Sequence, residues 1–177
     1  MHGYNATGLD LIIKTAGVTK GNFYYYFKSK EALAVEAIEW HFSTVMEEVQ
    51  EALSAQDFSP LESIFTILKV IEDRQLEQYA DGKIRGCFFG NFTLEMSAGS
   101  PLVREKLNSV FSRYRDNFSQ LLTQAQANGE ASPNIIPIEE AETILSLVEG
   151  ALLLDKARQE SKALPQSINF LKTHLSK

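Results

Sequence analysis

The sequence predicts an all-α protein with two parts: a helix-turn-helix head, residues 1–35, and a larger helical body, residues 36–177. Three observations support this fold class. Apolar residues recur at helical spacings along most of the chain, capping residues and prolines stand where such segments begin, and the alternating pattern of strands is almost absent. With 177 residues, of which 44% are hydrophobic, the chain is long enough to bury one good core.

The first two predicted helices are short and meet at a glycine. Thr7 is expected to cap a helix that runs to about Thr15, and Gly17 then allows the left-handed turn in which helices commonly end. Val18 is expected to fill the corner, and Thr19 caps the second helix. Helix, glycine turn and helix together form a helix-turn-helix. The residues predicted to face inward from the first helix are Leu9, Ile12, Ile13 and Ala16.

The second helix and the residues after it have the composition of a surface that reads DNA. A helix N-terminus directs backbone N–H groups at phosphate, Gly21 permits close backbone approach, and Asn22 can hydrogen-bond to a base edge. Phe23 and Phe27 are four residues apart and point together into a core, which leaves the tyrosines between them for thymine methyl groups and phosphates. The residues predicted to contact DNA are Thr7, Thr19, Lys20, Gly21, Asn22, Tyr24, Tyr25, Tyr26, Lys28 and Lys30.

Charge is distributed unevenly between the two ends of the chain. The whole chain has a formal net charge of −6, whereas its first 30 residues have a net charge of +3 and the remaining residues therefore −9. A basic head on an acidic body favours a polyanion that contacts only the head, because the body would repel phosphates. The alternative is that the lysines form an ordinary solvated surface. The charged residues of this segment are Lys14, Lys20, Lys28 and Lys30 against Asp10.

Two longer helices follow the head. One is predicted over residues 29–55 with Ser29 as its N-cap, and the next begins at Ser59-Pro60, which has the pattern of a cap followed by a first helical residue. This second helix is expected to run to about Tyr79 and to end at Asp81-Gly82. The apolar face predicted for the first of them consists of Leu33, Ala37, Trp40, Val45, Val49 and Leu53.

The C-terminal half continues in helices. Residues 86–97 form a short apolar segment, and Ser100-Pro101 repeats the cap-and-proline pattern at the start of a long helix. Pro137 and Pro165 open the last two helices. Residues 144–154 are apolar on most sides, which indicates burial either in a core or against another subunit. The apolar face of the long helix consists of Leu107, Val110, Phe111, Tyr114, Phe118, Leu121, Leu122 and Ala125.

Composition excludes several classes of site. A single cysteine rules out an intrachain disulfide, and three scattered histidines show no metal-ligand spacing, so we expect neither a metal nor a cofactor. No segment approaches the roughly 18 apolar residues of a membrane span and no signal peptide is recognisable, so we expect a cytoplasmic protein without membrane contact. No nucleophile motif, phosphate-binding glycine loop or facing carboxylate pair predicts an enzyme, and the acidic residues at 139, 140 and 142 are typical of a helix N-terminus.

The body contains enough aromatic residues to bound a cavity for an apolar or aromatic ligand, although a plain core needs the same residues. Cys87 could be a thiol that reacts with electrophiles or oxidants if Lys83 and Arg85 lower its pKa, and the alternative is an ordinary buried cysteine. The residues predicted to contact an effector are Phe65, Phe88, Phe89, Phe92, Tyr114 and Phe118.

The run YNATGLDLIIKTAGVTKGNFYYYFKSKEAL, residues 4–33, closely resembles the DNA-binding signature of the TetR/AcrR family of transcriptional regulators. The resemblance rests on the Thr start, the Ala-Gly-Val turn, Thr-Lys-Gly, Tyr-Tyr-x-Phe and Lys-Ser-Lys-Glu-x-Leu. GCFFGNFTLEMS and VEGALLL are similar to the ligand-binding half of a multidrug- or electrophile-responsive branch. On this resemblance Lys30 matches a phosphate-contacting lysine, and Gly8 departs from the usual Ser or Thr. The residues that match recognition-helix positions are Thr19, Lys20, Asn22, Tyr24, Tyr25 and Tyr26.

The resemblance implies an all-helical homodimeric repressor that dimerises through its last two helices, about residues 137–175. It implies that a small apolar or electrophilic effector releases the protein from double-stranded operator DNA. It also implies a first helix before Gly3, where this chain has only Met1-His2, and the alternatives are a start assigned late, a truncated chain or a variant without a complete head. If the helix is truly absent, we expect a poorly ordered head and much weakened DNA binding. The alternative function is a helical dimer that binds a ligand or a protein but no DNA.

Overall fold

The computed structural model describes residues 3–78 and 82–176, and in these two stretches the chain forms eight α-helices and no strand. The predicted all-α fold class is therefore confirmed. No helix in these stretches is long and apolar enough to cross a bilayer. The helices are α1 Leu9–Ala16, α2 Lys20–Tyr26, α3 Lys30–Leu53, α4 Pro60–Gln78, α5 Phe88–Met96, α6 Pro101–Ala127, α7 Pro137–Arg158 and α8 Ala163–Leu175.

α1 and α2 form the predicted helix-turn-helix. Gly17 ends α1 with φ of 67° and ψ of 24°, the left-handed conformation that glycine adopts without strain. Thr19 caps α2 as predicted, since its Oγ1 accepts the backbone N–H of Asn22 at 3.1 Å. Val18 lies between the two helices but is 39% exposed, so it does not fill the corner as predicted.

The start of α1 differs from the prediction. Its N-cap is Gly8 rather than Thr7, and no side chain caps it. The Thr7 hydroxyl instead donates to Gly3 O at 2.8 Å, which holds this residue in a turn ahead of the helix. On the predicted inward face, Ile13 is buried, whereas Ala16, the last residue of the helix, is exposed.

α3 crosses the predicted boundary at residue 35 without a break and so connects the head to the body. Ser29 caps it as predicted, because its Oγ accepts the backbone N–H of Ala32 at 3.0 Å. The prediction that Trp40 faces the core is wrong: Trp40 is 70% exposed. It stands two positions after the fully buried Ile38, which places it about 200° away around the helix. The buried residues of α3 are Ala34, Ile38, Phe42, Val45 and Val49.

Local capping chemistry also sets the starts of α4 and α6. Glu62 donates its backbone N–H to Ser59 Oγ at 3.3 Å, and Ser59 donates its backbone N–H to Glu62 Oε2 at 2.9 Å, which is a reciprocal capping box. α6 follows Ser100, whose Oγ accepts the backbone N–H three residues later. Both helices begin with proline as predicted. The predicted end of α4 at Asp81 lies outside the described residues.

α8 begins at Ala163, two residues earlier than the predicted start at Pro165. No side chain next to it in the sequence caps this helix. The carboxylate of Asp155 on α7 accepts the backbone N–H groups of Lys162, Ala163 and Leu164 instead. A cap supplied by a different helix therefore satisfies the first turn of α8, and sequence patterns around its start do not reveal it.

Two hydrophobic clusters hold the body together. The first packs α4, α6, α7 and α8 around the second half of α3, and the second joins the first half of α3 to α5 and α6. Met46 and Cys87 pack against both clusters. The most deeply buried large residues of the first cluster include Ile64, Leu122, Ile144 and Leu171, and those of the second include Ile38, Val103 and Val110.

Candidate DNA-binding surface and effector cavity

The outer face of α2 is open to solvent. Phe23 is buried at 5% exposure, and the ring of Phe27 packs on it with centroids 5.6 Å apart. Tyr24, Tyr25 and Tyr26 are 50%, 81% and 70% exposed. The aromatic residues therefore divide between core and surface as the sequence predicts. The other predicted contact residues that are exposed on or beside α2 are Thr19, Lys20, Gly21, Asn22 and Lys28.

The lysines of the head divide into two groups. Lys20 and Lys28 are exposed, and the ion pair between Lys20 Nζ and Asp10 Oδ1, at 3.6 Å, lies in solvent where such pairs are weak. Lys30 is half-buried: its Nζ donates to Tyr4 O at 2.5 Å and lies 3.9 Å from the centroid of the Tyr4 ring. The ammonium group predicted to contact phosphate is therefore engaged within the protein.

The residues before α1 are attached to α5. Asn5 donates its backbone N–H to Glu95 Oε2 at 3.0 Å and its side-chain amide to Glu95 O at 3.2 Å. The ring of Tyr4 packs against Phe92, with centroids 5.9 Å apart. Burial, and then the carboxylate of Glu31, raises the pKa of Tyr4, so its phenol is neutral at physiological pH. These contacts join the head to α5.

A cavity of about 80 Å³ lies between α3, α4, α5, α6 and α7. Four of the six predicted effector residues line it, and two lie elsewhere. Phe65 lies under Lys172 of α8, whose Nζ is 5.9 Å from its ring centroid, and Phe92 packs on Tyr4. The expectation that all six bound one cavity is corrected accordingly. The side chains that line the cavity include Val45, Ile71, Phe88, Phe89, Tyr114, Phe118, Leu145, Val148 and Leu152, with the polar His41, Arg74, Gln75, Cys87 and Glu149.

Cys87 forms part of the cavity wall at the start of α5. Its Sγ accepts the backbone N–H of Gly90 at 3.3 Å. Burial, and then the nearby Glu149, raises the pKa of the Cys87 thiol well above its ordinary value, so the condition for a reactive thiol, a pKa lowered by Lys83 and Arg85, is not met. Burial also raises the pKa of Glu149. The two groups therefore form a thiol and carboxyl pair in a poorly solvated wall.

Two further polar groups of the cavity are neutral at physiological pH. The ring of His41 stacks on Phe88 with centroids 4.2 Å apart, and burial, followed by the charge of Arg74, lowers the pKa of His41 to about 4. Burial raises the pKa of Tyr114. The guanidinium of Arg74 forms an ion pair with Glu48, which balances its charge.

Gln75 links the cavity to the α7–α8 corner. It is 3% exposed, and its Nε2 donates to Oδ2 of the fully buried Asp155 at 2.8 Å. Asp155 also accepts the backbone N–H groups of Lys162 at 3.0 Å, Ala163 at 2.6 Å and Leu164 at 3.1 Å. Burial alone would raise the pKa of this carboxyl, but these four hydrogen bonds outweigh it and hold the pKa below its ordinary value. Asp155 is therefore ionised.

The polar part of the cavity is what sequence reasoning missed. His41, Arg74, Gln75 and Glu149 are absent from the predicted effector residues. A signal existed for Glu149, because it is a charged residue inside the apolar run of residues 144–154. Gln75 also follows the apolar face of α4 at a helical spacing, which places a polar group toward the core.

α7 and α8 leave large apolar side chains in solvent. Leu153 and Leu154 on α7 are 52% and 45% exposed, and Phe170 on α8 is 57% exposed. Ile138, near the start of α7, is 43% exposed. These residues lie in the segment that the sequence predicts for dimerisation, and exposed apolar groups of this kind mark interaction surfaces when they are contiguous.

Comparison with known proteins agrees with this architecture. The profile of the tetR family of bacterial regulatory proteins matches residues 1–37, and that of the tetracyclin repressor-like C-terminal domain matches residues 65–171. The repressor DhaR of Mycobacterium sp. (strain GP1) is 27% identical over 96% of this chain and 82% of its own. The regulator AcuR of Cereibacter sphaeroides is 32% identical over 87% of this chain and 69% of its own.

A solved structure supports the same assignment. The crystal structure of a regulatory protein TetR from Rhodobacter sphaeroides superposes with a TM-score of 0.86 and 29% identity, covering 97% of this chain and 89% of that one. Regulators of this family bind operator DNA and small-molecule effectors, act as dimers and are not enzymes. The head, the helical body and these matches together show that the chain belongs to the TetR family of DNA-binding, ligand-responsive transcriptional regulators.

Proposed function

We propose that this protein is a repressor that binds its operator through α2 and releases it when a small effector enters the cavity. The course of α3 is the observation that supports this most directly. α3 begins at Lys30, shortly after the recognition helix, and places His41 and Val45 in the cavity wall. A ligand that displaces α3 at the cavity therefore also moves the head.

Operator release is then a coupled equilibrium between two arrangements of a homodimer. The recognition helices of the two subunits must lie about 34–36 Å apart to enter successive major grooves. An effector that binds more tightly to a dimer with a different spacing lowers DNA affinity by the ratio of its affinities for the two arrangements. The exposed tyrosines and Asn22 would read the grooves, while Lys20 and Lys28 contact phosphates.

The homodimer would form through residues 137–175, in α7 and α8. The exposed Leu153, Leu154 and Phe170 support this location, because burial of such side chains against a second copy removes apolar surface from water. As a regulator that acts on operator DNA, the protein would work in the cytoplasm.

The effector would be small and either apolar or electrophilic. The aromatic wall of Phe88, Phe89 and Phe118 supports an apolar ligand. Cys87 supports an electrophile, since its sulfur lies in the same wall. Its raised pKa means that an electrophile would meet a thiol rather than a thiolate in the resting protein, and such a reaction is slow.

A second candidate function is a helical dimer that binds a ligand or a protein partner and no DNA. One observation favours it: Lys30, which matches a phosphate-contacting lysine of the family, donates to Tyr4 O and covers the Tyr4 ring. For DNA binding by this route, the ammonium would first have to leave both contacts.

Binding of labelled DNA from beside the protein's own gene, measured by fluorescence anisotropy at two salt concentrations, separates the two functions. A repressor binds this DNA more tightly than a scrambled sequence, and its affinity falls with salt. Asn22→Ala should weaken specific binding by about 5- to 150-fold, and Lys20→Ala should reduce the salt slope by about 1. Equal binding to both DNA sequences would favour the second function.

The matched control is Lys69→Ala. Lys69 is an exposed lysine of the body that pairs with Glu72 and Asp73 of its own helix. Its replacement removes the same charge as Lys20→Ala, but at a distance from α2, so the salt slope should stay unchanged. A slope that falls equally in both variants would mean that net charge, rather than the surface of the head, determines binding.

A further inference from the structure

One buried acceptor beside the cavity has no partner. Gln75 lines the cavity at 3% exposure, and its Oε1 is buried without a hydrogen bond from any residue that the structure describes. At least nine in ten buried polar groups in proteins are paired. An unpaired carbonyl oxygen in a residue that lines a ligand cavity therefore points to a missing donor.

The amide of Gln75 cannot satisfy itself by rotating through 180°. Its Nε2 donates to Asp155 Oδ2 at 2.8 Å, and an ionised carboxylate only accepts hydrogen bonds. Asp155 in turn is fixed by the backbone N–H groups of Lys162, Ala163 and Leu164. A rotated amide would place Oε1 against the carboxylate oxygen. Gln75 is therefore held with its acceptor free.

The rest of the cavity limits the size and charge of the molecule that could supply the donor. Its volume of about 80 Å³ is roughly half that of an apolar cavity of about 150 Å³ that takes up benzene, so the part of a ligand that it encloses consists of only a few non-hydrogen atoms. The charged Arg74 is already paired with Glu48. The thiol of Cys87 and the phenol of Tyr114 are neutral, and burial also disfavours the charged form of Glu149, so this wall favours an uncharged ligand.

We propose that Gln75 Oε1 determines effector specificity, and that the effector is a small, uncharged, largely apolar molecule with one hydroxyl or N–H donor. The inference deepens the proposed function, because it names the ligand class of the same cavity. The donor pairs with Gln75 Oε1, and the carbon skeleton packs against side chains such as Phe88 and Val148. A molecule of the same size without a donor leaves the oxygen unpaired and binds more weakly.

The test compares two probes of equal size, 1-butanol and diethyl ether, of which only the alcohol has a donor. Titrations of the full chain followed by NMR, with no DNA present, give both dissociation constants. We expect the alcohol to bind at least about tenfold more tightly than the ether, because one hydrogen bond of about 1.4 kcal/mol corresponds to a tenfold ratio of dissociation constants. Equal affinities would overturn the inference, as would a failure of both probes to bind.

Two variants show whether Gln75 is the source of the preference. Gln75→Lys keeps a donor for Asp155 and removes the acceptor, so the preference for the alcohol should disappear. The control Ile71→Val reduces the apolar wall of the same cavity and should change both affinities by the same factor. If Gln75→Lys does not fold, the comparison of the two probes in the unchanged protein still decides the inference.

Failure of the inference and failure of the proposed function give different results. A protein that distinguishes the probes but binds no operator DNA would refute the repressor function and retain the specificity of Gln75. A protein that binds its operator selectively but binds both probes equally would refute only the assigned ligand class.

Discussion

Replacing Asp155 by asparagine should remove a large part of the stability of this protein. The carboxylate is fully buried and accepts four hydrogen bonds, two at each oxygen. If the remaining oxygen of asparagine keeps Lys162 and Ala163, its amide group faces the N–H of Leu164, which then has no acceptor, whereas the Gln75 amide can rotate and accept from it through Oε1. One hydrogen bond to a charged group, of about 1.5–3 kcal/mol, is then lost outright, and the other three no longer go to a carboxylate. We expect the free energy of unfolding to fall by about 3–5 kcal/mol.

Urea unfolding at pH 7, followed by circular dichroism, measures this change. Asp116→Asn is the matched control, because Asp116 is an exposed carboxylate whose ion pair with the adjacent Arg115 should contribute less than about 1 kcal/mol. Hydrogen exchange of the amides of residues 162–164 should accelerate in Asp155→Asn. A loss below about 1 kcal/mol with an unchanged denaturant slope would refute the assignment of Asp155 as the cap of α8.

The effect of Asp155 should also depend on pH. Because its folded pKa lies below the unfolded value, the stabilisation is complete above the ordinary pKa of a carboxyl group and is lost as pH falls through the folded pKa. The difference in stability between the unchanged protein and Asp155→Asn should therefore narrow in strong acid. A difference in stability between the two proteins that stays constant from neutral pH into strong acid would contradict a lowered pKa of Asp155.

Three other predictions follow from the head and the cavity. Burial and Arg74 lower the pKa of His41 to about 4, so the stability that the unchanged protein has relative to His41→Phe should fall by about 2 kcal/mol between pH 6.5 and 4 in urea titrations, allowing for the part of the ring that faces solvent, and a constant difference would contradict the lowered pKa. Glu149 is the second cause, after burial, of the raised pKa of Cys87, so Glu149→Gln should let iodoacetamide label this single cysteine several-fold faster. An unchanged labelling rate would mean that burial alone raises the pKa. Gly17→Ala should cost about 1 kcal/mol in the same urea titration because φ is 67°, and a neutral result would mean that the turn relaxes.

The elements that the sequence predicted well are those whose boundaries depend on neighbouring residues. Thr19, Ser29 and Ser59 each cap a helix within three residues of themselves, and Gly17 adopts its left-handed turn with no help from distant parts of the chain. Such signals are local and can be read from spacing. They establish the order of the helices and the surface of α2.

The predictions that failed depend on contacts between distant parts of the chain. The start of α8 depends on Asp155 of another helix, which no local pattern indicates. The exposure of Trp40 depends on which side of α3 meets α6, and apolar residues occur on both sides. The cavity was predicted from aromatic residues alone, so Phe65 was included and Gln75 was omitted. The ligand-binding part of the molecule is thus the part that required the tertiary structure.

The attachment of the residues before α1 to α5 bears on how such regulators can be recombined. Asn5 hydrogen-bonds to Glu95, and Tyr4 packs on Phe92 while its carbonyl oxygen and ring hold Lys30. A chimera that transfers only the head to the body of a relative would lose its partners on α5. Exchange of operator specificity between relatives should therefore require transfer of Phe92 and Glu95 together with the head, although both residues lie on α5, outside the helix-turn-helix.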